Sequence, residues 1–490
     1  MYLSLGVFLC LLCQSFGEVS IKYAAIIYRH GDRTPIDPYP TDPWRNESLW
    51  PVRFGQLTNI GKRQHYALGQ WFRKRYSNII TDKYDSKKVY VRSTNVDRTL
   101  MSAEVNLAGM YPPTGKEVWN DHLNWQPIPI HTRPEHDDEV LAMKRKCAQY
   151  DIAKNNFINS RAYEDHLSKY EGLMDYLTQH TLRKIKDFED INDIYNILFI
   201  EDLYNLTLPK WTHSVFPDKL KEPACYSFSI ATATPLMARL LAGPLLKTIV
   251  NNMLNKMSEQ PDALTMSIYS GHDFTIANIL SALGLFDGNC PSYTSTIILE
   301  LLNDNSTHDY YVRISYRNTT DIVEPLILNI PNCGEMCPIQ RFIQIYDNLI
   351  SVDWESDCLV QNNNNLIIYF FITIHIFIFI LYLQDNYSDV FKQEKRNELL
   401  RNRRIATDET KTCLCPDLEH NVDANNVEKP QLSENTVSTS PPRVPSNPRN
   451  GTQLTQQQNC LCVKFLVFRS KLADPAHDHN RLNIVQFTTE

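Results

Sequence analysis

Apolar and polar positions follow two different periods along residues 18–358. Runs rich in β-branched and aromatic residues predict five strands, at residues 21–28, 88–92, 265–270, 296–302 and 310–316. Apolar residues at helical spacing follow the first three strands, at residues 58–76, 95–110 and 274–283. This alternation predicts an α/β fold, with a mixed sheet flanked by helices.

The middle of this region has a different pattern. Residues 133–240 show helical stretches without clear strands, and no internal repeat is visible. We interpret them as a mostly helical cap inserted into an α/β core. The core then consists of residues 18–132 and 241–358.

Two apolar segments lie outside the predicted core. Residues 1–17 have an apolar stretch followed by small residues, which is typical of a cleaved signal peptide; the alternative is a buried N-terminal strand. After a linker at 359–365, residues 366–383 form an apolar run near the minimum length of a membrane span. Acidic residues precede the run and basic residues follow it, which predicts a type I single-pass protein.

Two other interpretations of the second apolar segment remain open. It could be a core helix, although it lacks a polar face. Alternatively, the crowding of Asn, Ile, Phe and Tyr at 362–386 is what translated non-coding sequence would show. The predicted cytoplasmic tail, residues 384–490, is rich in polar residues and proline and is expected to be disordered. Near its start, residues 387–390 match a tyrosine-based sorting signal. Its four cysteines are interpreted as free thiols, with metal binding or palmitoylation as alternatives.

Composition limits the classes of function. The chain has 49 Lys and Arg against 56 Asp and Glu, a net charge of −7, so no overall basic surface recruits nucleic acid. Only 15 of the 490 residues are glycine, which disfavours glycine-rich phosphate-binding loops. Any phosphate would have to be bound by arginine.

Cysteines and sequons indicate an oxidising compartment. Six cysteines lie between residues 18 and 365, which predicts three disulfides with 15 possible connectivities. The same segment contains four candidate glycosylation sites, at Asn46, Asn205, Asn305 and Asn318.

Three charged clusters follow the ends of predicted strands. The first is residues 29–35 (RHGDRTP), the second is Arg98 at the start of a helix that residues 93–95 could cap, and the third is His272 with Asp273. Because open α/β sheets bind ligands at the carboxyl ends of their strands, we expect the three clusters to meet in one crevice.

These side chains suit a phosphate ester. Arginine forks match phosphate oxygens, and the neighbouring cations should keep the His30 imidazole neutral and nucleophilic. Asp273 has no arginine beside it in the sequence, and next to a bound phosphate dianion its pKa should rise, so that it could protonate a leaving oxygen. Asp32 is interpreted as solvated or salt-bridged, and His65 and His131 as packing or capping residues.

Residues 29–35 and the later Ser270-Gly-His-Asp273 resemble the signature of the histidine acid phosphatases, and further similarity extends over about residues 20–358. The resemblance implies His30 as nucleophile and Asp273 as proton donor. It implies phosphate binding by four further residues, Arg29, Arg33, Arg98 and His272. It also implies that no metal or other cofactor is needed, and it allows a homodimer.

The resemblance extends to part of the disulfide pattern. It suggests the pairs Cys333–Cys337 and Cys147–Cys358, whereas the remaining pair of the vertebrate members has no cysteine at either matching position. Cys225 and Cys290 are left over, which suggests a different bridge.

The sequence therefore predicts an acid phosphatase that acts on phosphate monoesters. It is expected in lysosomes or endosomes or at the cell surface, anchored by one span, or secreted if the span is not real. Two alternatives remain open. One is an inositol-polyphosphate phosphatase, which would need a wide basic pocket. The other is a membrane-tethered binding ectodomain that keeps the site without using it.

Overall fold

All five predicted strands and three predicted helices are present in the computed structural model, which describes residues 19–360 and 364–405. The strands are β1 Val19–Arg29, β2 Val89–Ser93, β3 Met266–Gly271, β4 Thr296–Asp304, β5 Tyr310–Arg317, β6 Leu326–Ile327 and β7 Cys337–Pro338. The α-helices of the first part are α1 Asn59–Arg75, α2 Asp97–Met110, α3 Ala148–Ile158, α4 Arg161–Leu167, α5 Glu171–Thr181, α6 Phe188–Leu203 and α7 Asp218–Ile230. Those of the second part are α8 Pro235–Met257, α9 Asp273–Ala282, α10 Ile339–Ile345, α11 Asp347–Ile350, α12 Trp354–Asp357 and α13 Asn364–Ile405.

The strands form one mixed sheet in the order β2-β3-β1-β4-β5-β6, with β7 paired to β5. Strands β1, β2 and β3 are parallel, whereas β4 and β5 run antiparallel to their neighbours. In the parallel part, Arg29 is opposite Gly271, and Ser93 is opposite Ser270. The three carboxyl ends that the sequence marks with charged residues therefore meet at one edge.

Strand β1 is buried on both faces because its apolar residues are continuous rather than alternating. Tyr23, Ala25 and Ile27 face a core built with α8 and α9. Ala24, Ile26 and Tyr28 face the opposite core, built with α1 and α2. The sheet is thus covered by helices on both faces, which confirms the predicted class.

Helices α3 to α7 lie within the predicted cap and share an apolar core of their own, contributed mainly by α5, α6 and α7. The predicted end of the cap at residue 240 needs correction, because that position lies inside α8. This helix is continuous from Pro235 to Met257, and Leu241, Leu245 and Ile249 pack into the core of the sheet. Pro235 at its first turn and the Thr234 side chain, which caps it, mark the actual boundary.

Three disulfides connect the chain. Cys147–Cys358 and Cys333–Cys337 are the pairs suggested by the resemblance, and the leftover cysteines form Cys225–Cys290. The last bridge joins α7 of the cap to the loop that precedes β4.

Helix α13 contains the predicted span at 366–383 and continues to Ile405. The start of the predicted disordered tail is therefore helical, because residues 384–405 are rich in Glu, Lys, Arg, Gln and Leu, which are good helix formers. Among the described helices, no single one has both the length and the apolar composition to cross a membrane. Within the described part of the chain, the bent pair of α7 and α8, at 78° to each other, meets those criteria when its two helices are taken together. The predicted signal peptide at 1–17 and the predicted tail beyond 405 lie outside the described residues.

Candidate active site

The first charged cluster follows β1 directly, and His30 is its central residue. His30 is buried, and its Nδ1 lies 2.8 Å from the carbonyl oxygen of Gly31. Because a carbonyl only accepts, the ring must carry its proton on Nδ1 when neutral. The lone pair of the other ring nitrogen, Nε2, is then available to an electrophile.

The loop after His30 approaches α1 so closely that only glycine fits at two positions. A Cβ on Gly31 would lie 2.6 Å from the carbonyl oxygen of Gly61, and a Cβ on Gly61 would lie 2.4 Å from that of Asp32. The backbone N–H of Gly31 donates to Ser102 on α2. Both helices on this face therefore fix the position of His30.

Arg98 and His272 approach from the neighbouring strands. Arg98 lies in the first turn of α2, with Nη2 3.5 Å from Nδ1 of His272. His272 is the N-cap residue of α9, and its Nε2 lies 3.0 Å from the hydroxyl of Thr94. The His272 ring lies edge-on to His30, with centroids 5.7 Å apart.

The predicted cap of α2 needs correction. Its N-cap residue is Val96, which makes no side-chain capping bond, so residues 93–95 do not cap the helix. The Thr94 hydroxyl instead contacts His272 and Thr99. Thr94 therefore positions His272 instead of capping α2. Local sequence signals do not reveal this role.

Asp273 is held by Arg29 through an ion pair of 2.7 Å between Oδ2 and Nη2. The sequence places no arginine beside Asp273, so this partner comes from the fold. Arg29 also donates to the carbonyl of Pro291 at 2.5 Å, and its guanidinium carbon lies 4.5 Å from the Tyr293 ring centroid. Tyr293 also borders His30, at 5.9 Å between ring centroids. Sequence analysis missed Tyr293 because a single aromatic residue in a loop carries no periodic signal.

Burial and the surrounding positive charges lower the pKa values of His30 and His272. Burial, followed by the charges of Arg98 and Arg29, holds the pKa of His30 well below its ordinary value. Burial and Arg98 lower the pKa of His272 to about 3. Both rings are therefore neutral in mildly acidic solution, as the sequence predicts for His30.

The pKa of Asp273 is set by its neighbouring cations. Burial acts to raise its pKa, but the charges of Arg29 and Arg33, together with His272, outweigh burial and keep the pKa below its ordinary value. The expected rise concerns the phosphate-bound site and stays a prediction.

The arginines are well placed to bind an oxyanion. Arg29 and Arg33 are almost fully buried, and burial together with Arg33 lowers the pKa of Arg98 to about 10. Among the described residues, the Nε atoms of all three arginines are buried without a protein hydrogen-bond partner. Unsatisfied buried guanidinium donors are costly, and phosphate oxygens would satisfy them. No cluster of three or more His, Cys, Asp or Glu side chains in the described residues could hold a metal.

Asp32 differs from its prediction. It is fully buried rather than solvated, and its carboxylate accepts hydrogen bonds from the hydroxyls of Thr58 and Tyr204 rather than forming a salt bridge. His65 is a packing residue as predicted, buried against the Tyr28 ring. His131 is exposed and stacks on Tyr90.

The six predicted residues thus lie close together beyond the carboxyl ends of β1, β2 and β3. Comparison with known proteins identifies the family of the chain. A model of the histidine phosphatase superfamily (branch 2) matches residues 20–317. The chain belongs to this superfamily.

This histidine phosphatase aligns with most of the length of several acid phosphatases. It is 38% identical to mouse prostatic acid phosphatase over 375 residues, 74% of this chain and 96% of the relative. It is 35% identical to the lysosomal acid phosphatase of Xenopus laevis over 342 residues, 69% of this chain and 78% of the relative. It is also 35% identical to the venom acid phosphatase Acph-1 of Apis mellifera, over 71% of this chain and 91% of the relative.

Solved structures agree with the fold of this histidine phosphatase. The phytase from Citrobacter braakii matches with a TM-score of 0.52 at 18% identity, over 70% of this chain and all of that one. The Klebsiella sp ASR1 phytase matches with a TM-score of 0.51 at 15% identity, over 68% and 96% of the two chains. At such identities the likeness supports the fold alone.

Two cavities adjoin the arginines and use α6 as a common wall. One of about 440 Å³ lies beside Arg29 and is lined by Tyr195, Phe199, Lys221 and Asp287, among others. A smaller one of about 130 Å³ lies beside Arg33. Asn196 lines both.

Proposed function

We propose that this protein is an acid phosphomonoesterase that works through a phosphohistidine on His30. The observation that carries the proposal is a buried, neutral imidazole whose pKa is lowered by burial and by the guanidinium groups of Arg98, Arg29 and Arg33. An ordinary histidine is mostly protonated at about pH 5, and a protonated ring cannot attack phosphorus. The low pKa of His30 keeps the nucleophile active in acid.

The reaction has two displacements. Nε2 of His30 attacks phosphorus, the phosphorus–oxygen ester bond breaks, and the leaving oxygen takes the proton of Asp273. Water then attacks the phosphohistidine and gives a proton to the Asp273 carboxylate. The phosphorus–nitrogen bond breaks, and its electron pair returns to Nε2. Arg29, Arg33, Arg98 and His272 hold the phosphoryl oxygens throughout.

The first step requires protonated Asp273. In the free site its carboxylate is paired with Arg29, which favours the ionised form. A bound phosphate dianion competes for the same guanidinium and adds negative charge nearby, and both effects raise the pKa of Asp273. Substrate binding and acidic solution therefore both favour protonation of Asp273.

The test is hydrolysis of p-nitrophenyl phosphate by the purified full-length chain, at about pH 5, where a proton donor with a raised pKa remains loaded. We expect turnover and an acid-labile phosphoryl group on the protein. A folded protein that binds inorganic phosphate but gives no turnover across the acidic and neutral range would overturn the proposal. That result would favour the binding ectodomain.

The charges beyond the arginine cluster favour a simple monoester over an inositol polyphosphate. In the larger cavity Lys221 is accompanied by Asp287. In the smaller one Arg183 is paired with Asp37 at 2.8 Å, and Asp193 lies in the same wall. A polyphosphate needs several unpaired cations around its additional phosphates, and these walls balance cations with acids. We therefore expect inositol hexakisphosphate to be a much poorer substrate than glycerol phosphate.

We further propose that the enzyme works in the secretory pathway. Three disulfides join residues of the described fold, and such bonds persist in oxidising compartments. A single-span anchor at 366–383 is part of this proposal. Alkaline extraction of membranes from expressing cells tests the anchor, since a spanning protein stays in the pellet and a secreted one appears in the medium.

A further inference from the structure

We propose that the hydrogen bond between Tyr204 and Asp32 positions the cap over the phosphate site, so that these two residues govern binding of the ester more than binding of phosphate. This inference rests on the proposed function, because it concerns the substrate of that reaction. Asp32 and Tyr204 are positioning residues in this scheme.

Asp32 joins three parts of the fold. It lies between His30 and Arg33 in the chain, and its backbone N–H donates to Oε1 of Gln64 on α1 at 2.9 Å. Its Oδ1 accepts from the hydroxyl of Thr58, the N-cap residue of α1, and from the hydroxyl of Tyr204 at 2.7 Å. The phosphate-binding loop, a core helix and the cap thus share one carboxylate.

Tyr204 is the C-terminal cap of α6. Its backbone N–H donates to the carbonyl of Ile200, and its ring lies against Trp50, with centroids 5.4 Å apart. Asn196, two turns earlier on the same helix, lines the cavities beside both Arg29 and Arg33. The hydroxyl that reaches Asp32 therefore fixes one end of the helix that lines both cavities, which we assign to the leaving group of the ester.

The arginines do not depend on this hydrogen bond. Arg29 is held by Asp273 and Pro291, and Arg33 donates to the carbonyl of Thr34 at 3.0 Å. Loss of the Tyr204 hydroxyl should therefore release α6 without disturbing the groups that bind phosphate.

The Asp32 carboxylate has few other hydrogen-bond donors nearby. Its second oxygen, Oδ2, is buried and has no hydrogen-bond partner among the described residues. Burial raises the pKa of Asp32 despite the hydrogen bonds from Thr58 and Tyr204. Removal of the Tyr204 hydroxyl leaves the carboxylate with one hydrogen bond fewer. A shift of the cap that admits water would restore a hydrogen bond at the lowest free-energy cost.

The experiment compares Tyr204→Phe, Asp32→Asn and the double variant in the full-length chain. The two readouts are KM for glycerol phosphate and the inhibition constant of inorganic phosphate. For Tyr204→Phe we expect KM to rise about fivefold to tenfold, the usual net value of one hydrogen bond, with the phosphate constant within about twofold. Asp32→Asn should have a smaller effect, because its amide oxygen still accepts a weaker, uncharged bond.

The double variant tests the pair directly. If the two residues act through one bond, Tyr204→Phe should raise KM less in the Asp32→Asn background than in wild type. The matched control is Tyr176→Phe, which removes a cap hydroxyl that donates to the carbonyl of Trp211 and makes no contact with the phosphate loop. We expect wild-type KM for this control.

Three results would overturn the inference. They are unchanged KM in Tyr204→Phe, fully additive effects in the double variant, and a phosphate inhibition constant that rises in parallel with KM. If Asp32→Asn fails to fold, the KM and the phosphate inhibition constant of Tyr204→Phe, compared with its control, still test the inference. Failure of the proposed function is a separate outcome, because wild type would then hydrolyse no monoester at all.

Discussion

Arg29, at the end of β1, and Asp273, which follows the neighbouring parallel strand β3, form an ion pair of 2.7 Å in which the arginine is buried and the aspartate partly exposed. The pair joins the first charged cluster of the chain to the last. It contributes to the low pKa of Asp273, since the charge of Arg29, together with those of Arg33 and His272, outweighs the opposing effect of burial. It also means that a bound phosphate and Asp273 must share the same guanidinium.

Asp273→Asn should damage hydrolysis in proportion to the basicity of the leaving group. The amide keeps the size of the carboxyl group but cannot donate a proton to an alkoxide. We expect kcat for glycerol phosphate to fall by about 10² to 10⁴, and much less for p-nitrophenyl phosphate, whose leaving group needs no proton. Burst kinetics should accompany the measurement, because slow hydrolysis of phosphohistidine could mask the first step. Equal losses on both esters without a burst would assign Asp273 a positioning role only.

His30→Ala should abolish turnover and the acid-labile phosphoryl group while leaving the fold intact. The substitution removes the nucleophile, and the adjacent backbone is held by Gly31 and Gly61 rather than by the ring. Trapping with radiolabelled substrate and circular dichroism measure the two effects. His213→Ala, at an exposed histidine of the cap, is the control and should label normally. Undiminished labelling of His30→Ala would place the phosphoryl group elsewhere.

Gly31→Ala should lower both stability and activity. The new Cβ would lie 2.6 Å from the carbonyl of Gly61, so either α1 or the phosphate-binding loop must move. We expect a loss of stability of about 2 kcal/mol or more, as for other overpacked sites. Thermal unfolding measures it. Gly172→Ala in α5, where nothing lies within 4 Å of the added carbon, should be neutral or slightly stabilising.

A buried carboxyl pair should make the fold more stable in acid than at neutral pH. Asp42, in the loop after β1, lies beside Glu201 of α6, both are buried, and neither carboxylate oxygen of Glu201 has a hydrogen-bond partner among the described residues. Burial and the neighbouring Asp42 raise the pKa of Glu201 to about 9. A carboxyl whose folded pKa exceeds its unfolded value binds more protons when folded, so its contribution is full below the unfolded value and is lost as pH rises.

Glu201→Gln should remove this dependence. The amide can donate to Asp42, without the cost of ionisation. We expect wild type to lose about 2 kcal/mol of unfolding free energy between pH 5 and 7, and the variant to lose clearly less. Chemical denaturation at the two pH values measures the difference. Parallel pH profiles for the two proteins would show that the pair does not control stability.

Glycosylation should occur at Asn46, Asn205 and Asn305 but not at Asn318. The first three are exposed. Asn318 is half-buried, accepts from the N–H of Ser292 at 2.6 Å and donates to the carbonyl of Cys290 at 3.3 Å. Its amide nitrogen, which would carry the glycan, therefore supports the loop next to Pro291. Peptide mapping after enzymatic deglycosylation tests the prediction, and a glycan found at Asn318 would contradict it.

Much of the site can be predicted from local sequence. The continuous apolar run that forms β1 is followed at once by residues 29–35, and β3 is followed by His272 and Asp273. A parallel sheet brings such ends together whatever the details of the loops, because its strands share one direction. Strand order along the chain and charge at strand ends therefore suffice to assemble His30, Arg98 and Asp273.

The tertiary structure decided the partners of these side chains. Arg29 pairs with Asp273, Asp32 with Tyr204, and Cys225 with Cys290 across sequence distances that no periodicity spans. The end of the cap also depended on tertiary packing, because α8 continues past residue 240 to bury its apolar face on the sheet. Periodicity and strand-end chemistry are local properties of the chain. Ion pairs, hydrogen bonds and pKa values depend on distances of a few ångströms, which only the packed fold establishes.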